Sequence, residues 1–270
     1  MKKHLYIIAS IVIVISALAD ASFANRRRFS YTYETPVLPK GAKELEIWNT
    51  LRLNKDQWYR RLDNRVEYEW GLGGNLQTAL YLDISSRTSF NGTDIVRSAP
   101  TFGISSEWKY KVLDRTADAI GLGLYLEGGL KTYEVELEGK ILLDKQFDDF
   151  LLAFNVVGEQ EYIYAGENGS VEAETETVLE FDLGLSYSLT TEFALGLEAR
   201  HHSVMLEEND QTETFSALFA GPTFSYSADG WWAVLSFLPQ VTGKTADLDT
   251  KIDVAEHEKF EARLLLSFDM

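Results

Sequence analysis

The sequence has no cysteine, only five prolines in 270 residues, and few basic side chains, with 25 Lys and Arg against 42 Asp and Glu. Without cysteine there is no disulfide scaffold, thiolate metal site or thiol nucleophile. A formal charge of −17 and a pI near 4.6 argue against nucleic acid as a partner. Scarce proline and the lack of low-complexity tracts exclude a disordered chain. Long hydrophobic runs are also missing beyond the first segment. Any passage through a bilayer therefore falls to strands rather than helices.

The chain begins with an address. Lys2 and Lys3 precede an apolar stretch from Leu5 to Leu18, and small residues follow. That order predicts a signal peptide over 1–24, cut after Ala24 or after Ala21. The alternative, an uncleaved anchor, needs an apolar run of ~20 residues, which this stretch does not reach. Pro36, Pro39 and Gly41 then mark a non-strand stretch. Residues 25–42 are expected as an N-terminal periplasmic segment, opening with Arg26, Arg27 and Arg28, which suit anionic lipid or presentation after cleavage.

From there on the hydrophobic pattern has period two. Leu45, Ile47, Leu51 and Leu53 alternate with Glu44, Glu46, Thr50 and Arg52. Val66, Tyr68 and Trp70 alternate with Arg65, Glu67 and Glu69; Leu80, Leu82 and Ile84 with Ala79, Tyr81 and Asp83. The alternation is fuzzier between Val135 and Tyr164. It sharpens again through Leu179–Tyr187, Phe193–Ala199, Leu218–Tyr226 and Trp231–Val241, and in Phe260–Phe268 at the end of the sequence. Twelve such stretches match strands of roughly 9–11 residues, and short connections alternate with longer polar ones. The expectation is one all-β domain over 43–270, a transmembrane antiparallel up-and-down β-barrel of about 12 strands. A soluble β-sandwich or lipocalin-like barrel also alternates, but it has no need of so many strands long enough to span. The closing strand resembles the terminal pattern that barrel-assembly machinery reads, with Met270 in place of the usual aromatic.

Several short stretches carry a family likeness. They are YTYE at 31–34, LPKG at 38–41, ELEIW at 44–48, FDLGLSY at 181–187, GLEAR at 196–200, GPTFSY at 221–226, WW at 231–232 and LPQVTG at 238–243. Together they resemble a family of uncharacterised Gram-negative outer-membrane barrels, similar to outer-membrane proteins of operons for aromatic-compound degradation. The resemblance implies location and fold and transfers no active site. It also implies outer-membrane lipid, lipopolysaccharide and the barrel-assembly machinery as partners.

If apolar residues face lipid, the alternate set lines the lumen. The candidate lining residues are Glu46, Arg52, Arg61, Arg65, Glu67 and Glu69 on the first hairpin, Glu174, Glu176, Glu180 and Asp182 as a carboxylate ladder, and Glu198, Arg200 and Arg263. Folding the first hairpin about Lys55–Gln57 brings Glu46 near Glu67 and Arg52 near Arg61. Like charges directly opposite destabilise a sheet, so Arg263 and Arg200 are expected as counter-ions. This lining suits a passive or selective channel for small solutes that favours cations. It equally suits a narrow, charge-plugged barrel with a structural or surface role, since twelve strands enclose less than a 16–18-strand porin.

One enzymatic alternative stands in the sequence. His201 and Ser203 share a strand face in the spacing of an outer-leaflet lipid hydrolase, but Val204 follows and no orienting partner is identifiable. No enzyme activity and no catalytic residue are assigned. The acidic run 207–210 lacks cation-loop spacing, and no phosphate loop or metal cluster appears; neither metal nor cofactor is expected.

Overall fold

The computed structural model describes residues 26–164, 174–208, 211–244 and 251–270. The expected signal peptide, Glu172 and part of the 207–210 run lie outside the described residues. Thirteen strands occur in chain order: β1 Lys43–Leu53, β2 Tyr59–Gly73, β3 Leu76–Phe90, β4 Ile95–Arg97, β5 Thr101–Leu113, β6 Gly121–Lys131, β7 Glu134–Phe147, β8 Phe150–Ile163, β9 Glu174–Ser188, β10 Phe193–Glu208, β11 Gln211–Ala228, β12 Trp231–Lys244 and β13 Phe260–Asp269. Each wall strand pairs antiparallel with its neighbours in sequence, and β1 pairs with β13 to close the sheet. β4 is a short outlier that pairs only with the end of β3. The wall is therefore a closed, twelve-stranded up-and-down barrel of the outer-membrane type.

The two faces of that wall explain why the alternation is so regular. Outward residues are apolar and exposed, as in Leu80, Leu82 and Ile84 of β3 or Leu124, Leu126 and Leu130 of β6. Inward, buried polar and charged residues outnumber the buried hydrophobic ones among the described residues. This inverts a soluble core and matches a barrel whose solvent is hydrocarbon. Aromatic side chains gather outside at the short-turn end. Tyr68 and Trp70 lie 5.6 Å apart, Phe150 and Tyr187 4.7 Å, and Tyr226 and Trp231 5.3 Å. Their amphipathic rings form the girdle such barrels place at an interface.

The short turns use local devices. Between β2 and β3, Gly73, Gly74 and Asn75 all have positive φ, which permits a reversal without strand distortion. The opposite end carries the longer connections, including β4 and the stretch 251–259. That stretch folds inward: Asp253 and His257 are buried, and Gln240 Nε2 donates to the carbonyls of Asp253 and Glu258 at 2.7 and 2.9 Å.

Candidate functional site

The lumen is occupied by the chain's own N-terminal segment. Residues 25–42 are expected as a periplasmic segment; of the described part, 26–42, most residues lie inside the wall, with Phe29, Ser30, Thr32, Thr35 and Leu38 almost wholly buried. The reason is hydrogen bonding. A segment interrupted by Pro36 and Pro39 cannot join a strand ladder, yet its buried N–H groups need acceptors. Inward side chains supply them. The Glu198 carboxylate accepts from the N–H groups of Ser30, Tyr31 and Thr32 at 3.2, 2.7 and 2.7 Å, and from the Ser236 hydroxyl at 2.9 Å. Asn155 accepts from Tyr33 N at 2.6 Å and donates to its carbonyl at 2.9 Å. Asp144 accepts from Thr35 N at 2.9 Å, and Gln77 from Leu38 N at 2.8 Å. The wall makes room as well: a Cβ on Gly184 would sit 2.7 Å from the Phe29 ring.

Around this strap the charges divide into two neighbourhoods. On the β9–β13 side and the adjoining ends of β1 and β2, Glu180, Glu261 and Asp63 are matched, while Asp182 of β9 keeps an unpartnered oxygen. Arg200 reaches Glu180 at 2.6 Å and Glu261 at 3.2 Å. Arg52 reaches Glu261 at 2.6 Å and Asp63 at 3.0 Å, and Arg61 meets Asp63 at 2.7 Å. The expectation that Arg263 and Arg200 neutralise the first hairpin's carboxylates is corrected here. Arg263 donates to Thr50 Oγ1 and the Ser30 carbonyl at 2.8 and 3.2 Å and stacks on Tyr31 at 3.6 Å. The hairpin's own Arg52 and Arg61 take one acid, while Arg27 of the strap lies among Glu46, Glu67 and Glu69.

On the β1–β8 side, acids are in excess. Glu46 does stand opposite Glu67, and Arg52 opposite Arg61. Glu44 continues the pattern between Asp269 and Glu69. Glu69 pairs with Ala79, Ala79 with Glu107, Glu107 with Glu127, Glu127 with Glu138, and Glu138 with Glu159. One row of directly opposed residues thus carries seven carboxylates, interrupted only by Ala79. Glu44 is the second residue of β1 and Glu159 the tenth of β8, both counted from the short-turn end. Eight residues of extra height on tilted strands amount to about 20 Å. The row is a spiral that crosses most of the wall. Arg65 meets Glu127 at 3.1 Å and Lys140 meets Glu138 at 3.0 Å, so two of its steps carry a cation.

The remaining sequence candidates fall as follows. Glu174, Glu176, Glu180 and Asp182 share one face of β9, but Val178, buried on that same face, interrupts the ladder. Asp182 is buried, with Oδ1 lacking a hydrogen-bond partner. Ser203 Oγ and His201 Nδ1 are 3.5 Å apart on the outward, half-buried face, where His201 lies against Phe181.

Sequence reasoning missed a second histidine chain. His202 faces inward, its Nδ1 3.0 Å from His257 Nε2, while His257 Nδ1 is 2.7 Å from Asp253 Oδ2. Burial holds the His257 imidazole below its ordinary pKa, with Asp253 opposing that shift. Nothing in the 251–259 sequence signals that it folds inward.

The chain belongs to the family described as a family of unknown function (DUF6662), which matches residues 21–270. No curated protein matches the sequence. Among solved structures, it is similar to the COG4313 outer membrane channel from Pseudomonas putida F1, with a TM-score of 0.66, 10% identity, and coverage of 90% of this chain and 100% of that one. It is also similar to the beta domain of the Bordetella autotransporter BrkA, at TM-score 0.52 and 12% identity, covering 86% of this chain and 100% of that one. LpxR from Salmonella typhimurium gives 0.50 and 10%, with 83% and 99% covered. At such identities the likeness is one of fold.

Proposed function

We propose that the protein is an outer-membrane channel for small solutes that favours cations, narrowed by the strap in its lumen. On this reading the chain is exported by its signal peptide, inserted by the barrel-assembly machinery, and surrounded by lipid and lipopolysaccharide. The carrying observation is the spiral of opposed carboxylates from Asp269 and Glu44 to Glu159. Seven acids in one row are costly in a sheet. Rings and rows of carboxylates favour cation passage electrostatically. The comparison with an outer membrane channel supports the same reading at the level of architecture.

Planar-bilayer recording tests it. Wild-type protein is expected to conduct with a cation-selective reversal potential, and Glu159→Gln to move that potential toward zero. A silent bilayer, before and after removal of residues 26–38, would defeat the proposal.

A second reading has its own observation. The strap's N–H groups from Ser30 to Leu38 are held by four separate wall residues, which suits a closed barrel with a structural or surface-interaction role. Under that reading the truncated protein stays silent as well. The lipid-hydrolase reading rests on His201 and Ser203 alone; lipid hydrolysis lost in Ser203→Ala would establish it.

A further inference from the structure

We infer that Glu67, Glu69 and Glu107, with Glu44 and Glu46 beside them, form a binding site for a divalent cation, calcium first. The argument begins with burial. Glu44, Glu46, Glu67 and Glu107 are at most 1% exposed and Glu69 is 6% exposed, so water does not dissipate their charge. Register brings them together: Glu44 opposes Glu69, Glu46 opposes Glu67, and small Ala79 leaves the gap between Glu69 and Glu107 open.

Distances fit one ion per triad. In Glu44–Glu46–Glu69 and in Glu67–Glu69–Glu107, the ligand oxygens all lie within 4.8 Å of one another. Ligands on opposite sides of a calcium ion, each at about 2.4 Å, are separated by about that much. Glu69 belongs to both triads.

Unused bonding capacity points the same way. Apart from the contact of the Glu67 and Glu69 carboxyls with one another, both oxygens of Glu67, Oε2 of Glu69 and Oε1 of Glu107 have no hydrogen-bond partner. Ser267, fully buried directly opposite Glu46, has an equally unpartnered hydroxyl. In folded proteins most buried polar atoms are satisfied, and nowhere else among the described residues do so many unpartnered carboxylate oxygens gather. The cations near the group are Arg27 and Lys109; five carboxylates against two cations leave room for a divalent ion. Oxygen-only ligation selects a hard metal, calcium or magnesium, over the softer transition metals. Calcium tolerates the irregular, multi-carboxylate geometry that magnesium does not.

Terbium, a luminescent stand-in for calcium, provides the test. Trp48 Nε1 donates to Glu46 Oε2 at 2.8 Å, which places an indole antenna at the site. Full-length protein in detergent, stripped with chelator, is expected to give tryptophan-sensitised terbium emission that saturates and is displaced by calcium. Glu69→Gln, touching both triads, should weaken terbium binding by roughly tenfold or more. Arg27→Gln should tighten it, because the arginine and the ion compete for the same acids. Glu192→Gln, at an exposed turn, should change nothing. Heat-shifted gel migration checks that each variant is folded, and Glu107→Gln replaces Glu69→Gln if the latter fails to fold.

No sensitised emission would overturn the site and leave the acids to share protons. So would emission that persists unchanged in Glu69→Gln and Glu107→Gln, since the ion would then sit elsewhere. The measurement needs no conduction, so a silent bilayer bears on the channel reading and not on this one.

Discussion

The two sides of the lumen handle buried charge in opposite ways. Toward β9–β13, Glu198, Glu261 and Glu180 each have their partners in place: three strap N–H groups and Ser236 on the first, Arg52 and Arg200 on the second, Arg200 on the third. Toward β1–β8, Glu44, Glu69 and Glu107 confront one another across the ladder, with the strap's Arg27 and the wall's Lys109 between them. A buried acid that is fully bonded holds structure. A buried acid facing another acid raises the energy of the fold unless something mobile or bound is drawn to it. The first kind locates the machinery that fixes the strap, the second the acids on which the proposed channel and cation site rest.

Substitutions sharpen that contrast, and the largest effect belongs to the bonded side. Glu198→Ala strips three backbone donors of their acceptor at once. It should cost about 3 kcal/mol of stability and free residues 29–33 to proteases, read by denaturant unfolding in liposomes and limited digestion. Unchanged protection would show that the strap is held by other contacts. Next comes Arg200→Met, which leaves Glu180 only His202 at 3.9 Å and Glu261 dependent on Arg52. A loss of roughly 3 kcal/mol is expected, again by denaturant midpoint.

On the surplus side the sign reverses. Glu159→Gln removes a like-charge contact with Glu138, so stability should hold or rise by about 0.5 kcal/mol, although a buried carboxylate has been deleted. A marked drop in the unfolding midpoint would erase the distinction between the two sides.

The smallest effect concerns pH. The folded His257 imidazole titrates below its ordinary value of about 6.5. The released 251–259 stretch therefore takes up a proton first. The stability this histidine contributes is fully present above that ordinary value and is lost as pH falls toward the folded value. Amide protection factors in 251–259, which are already corrected for the slower intrinsic exchange at low pH, should fall from pH 7 to pH 5, roughly the range in which a histidine changes charge, and His257→Gln should flatten the change. Protection factors indifferent to pH in the native protein would sink the idea.

Much of the wall is legible without coordinates, because burial that flips at every residue writes itself into the sequence as alternation. Leu80, Leu82 and Ile84 sit where that rule puts them, and the opposition of Glu46 to Glu67 follows from counting back from the first turn. The strap is not legible. Residues 29–38 have no periodicity, and their acceptors come from β3, β7, β8 and β10, so no local pattern links Ser30 to Glu198, 168 residues away. The spiral is hidden for another reason. Its members are ordinary alternating polar residues within each strand, and only the cumulative stagger of eight strands lines them up.

That stagger has a consequence for how a barrel of this build can diversify. Each step of the helical staircase is contributed by a different β-strand, so opposed neighbours such as Glu127 and Glu138, or Glu138 and Glu159, are never consecutive residues in the chain. A change at Glu107 or Glu138 replaces one tread while the strand that carries the next keeps its sequence, so in a channel of the kind proposed selectivity can drift by single replacements while the cylinder itself stays whole.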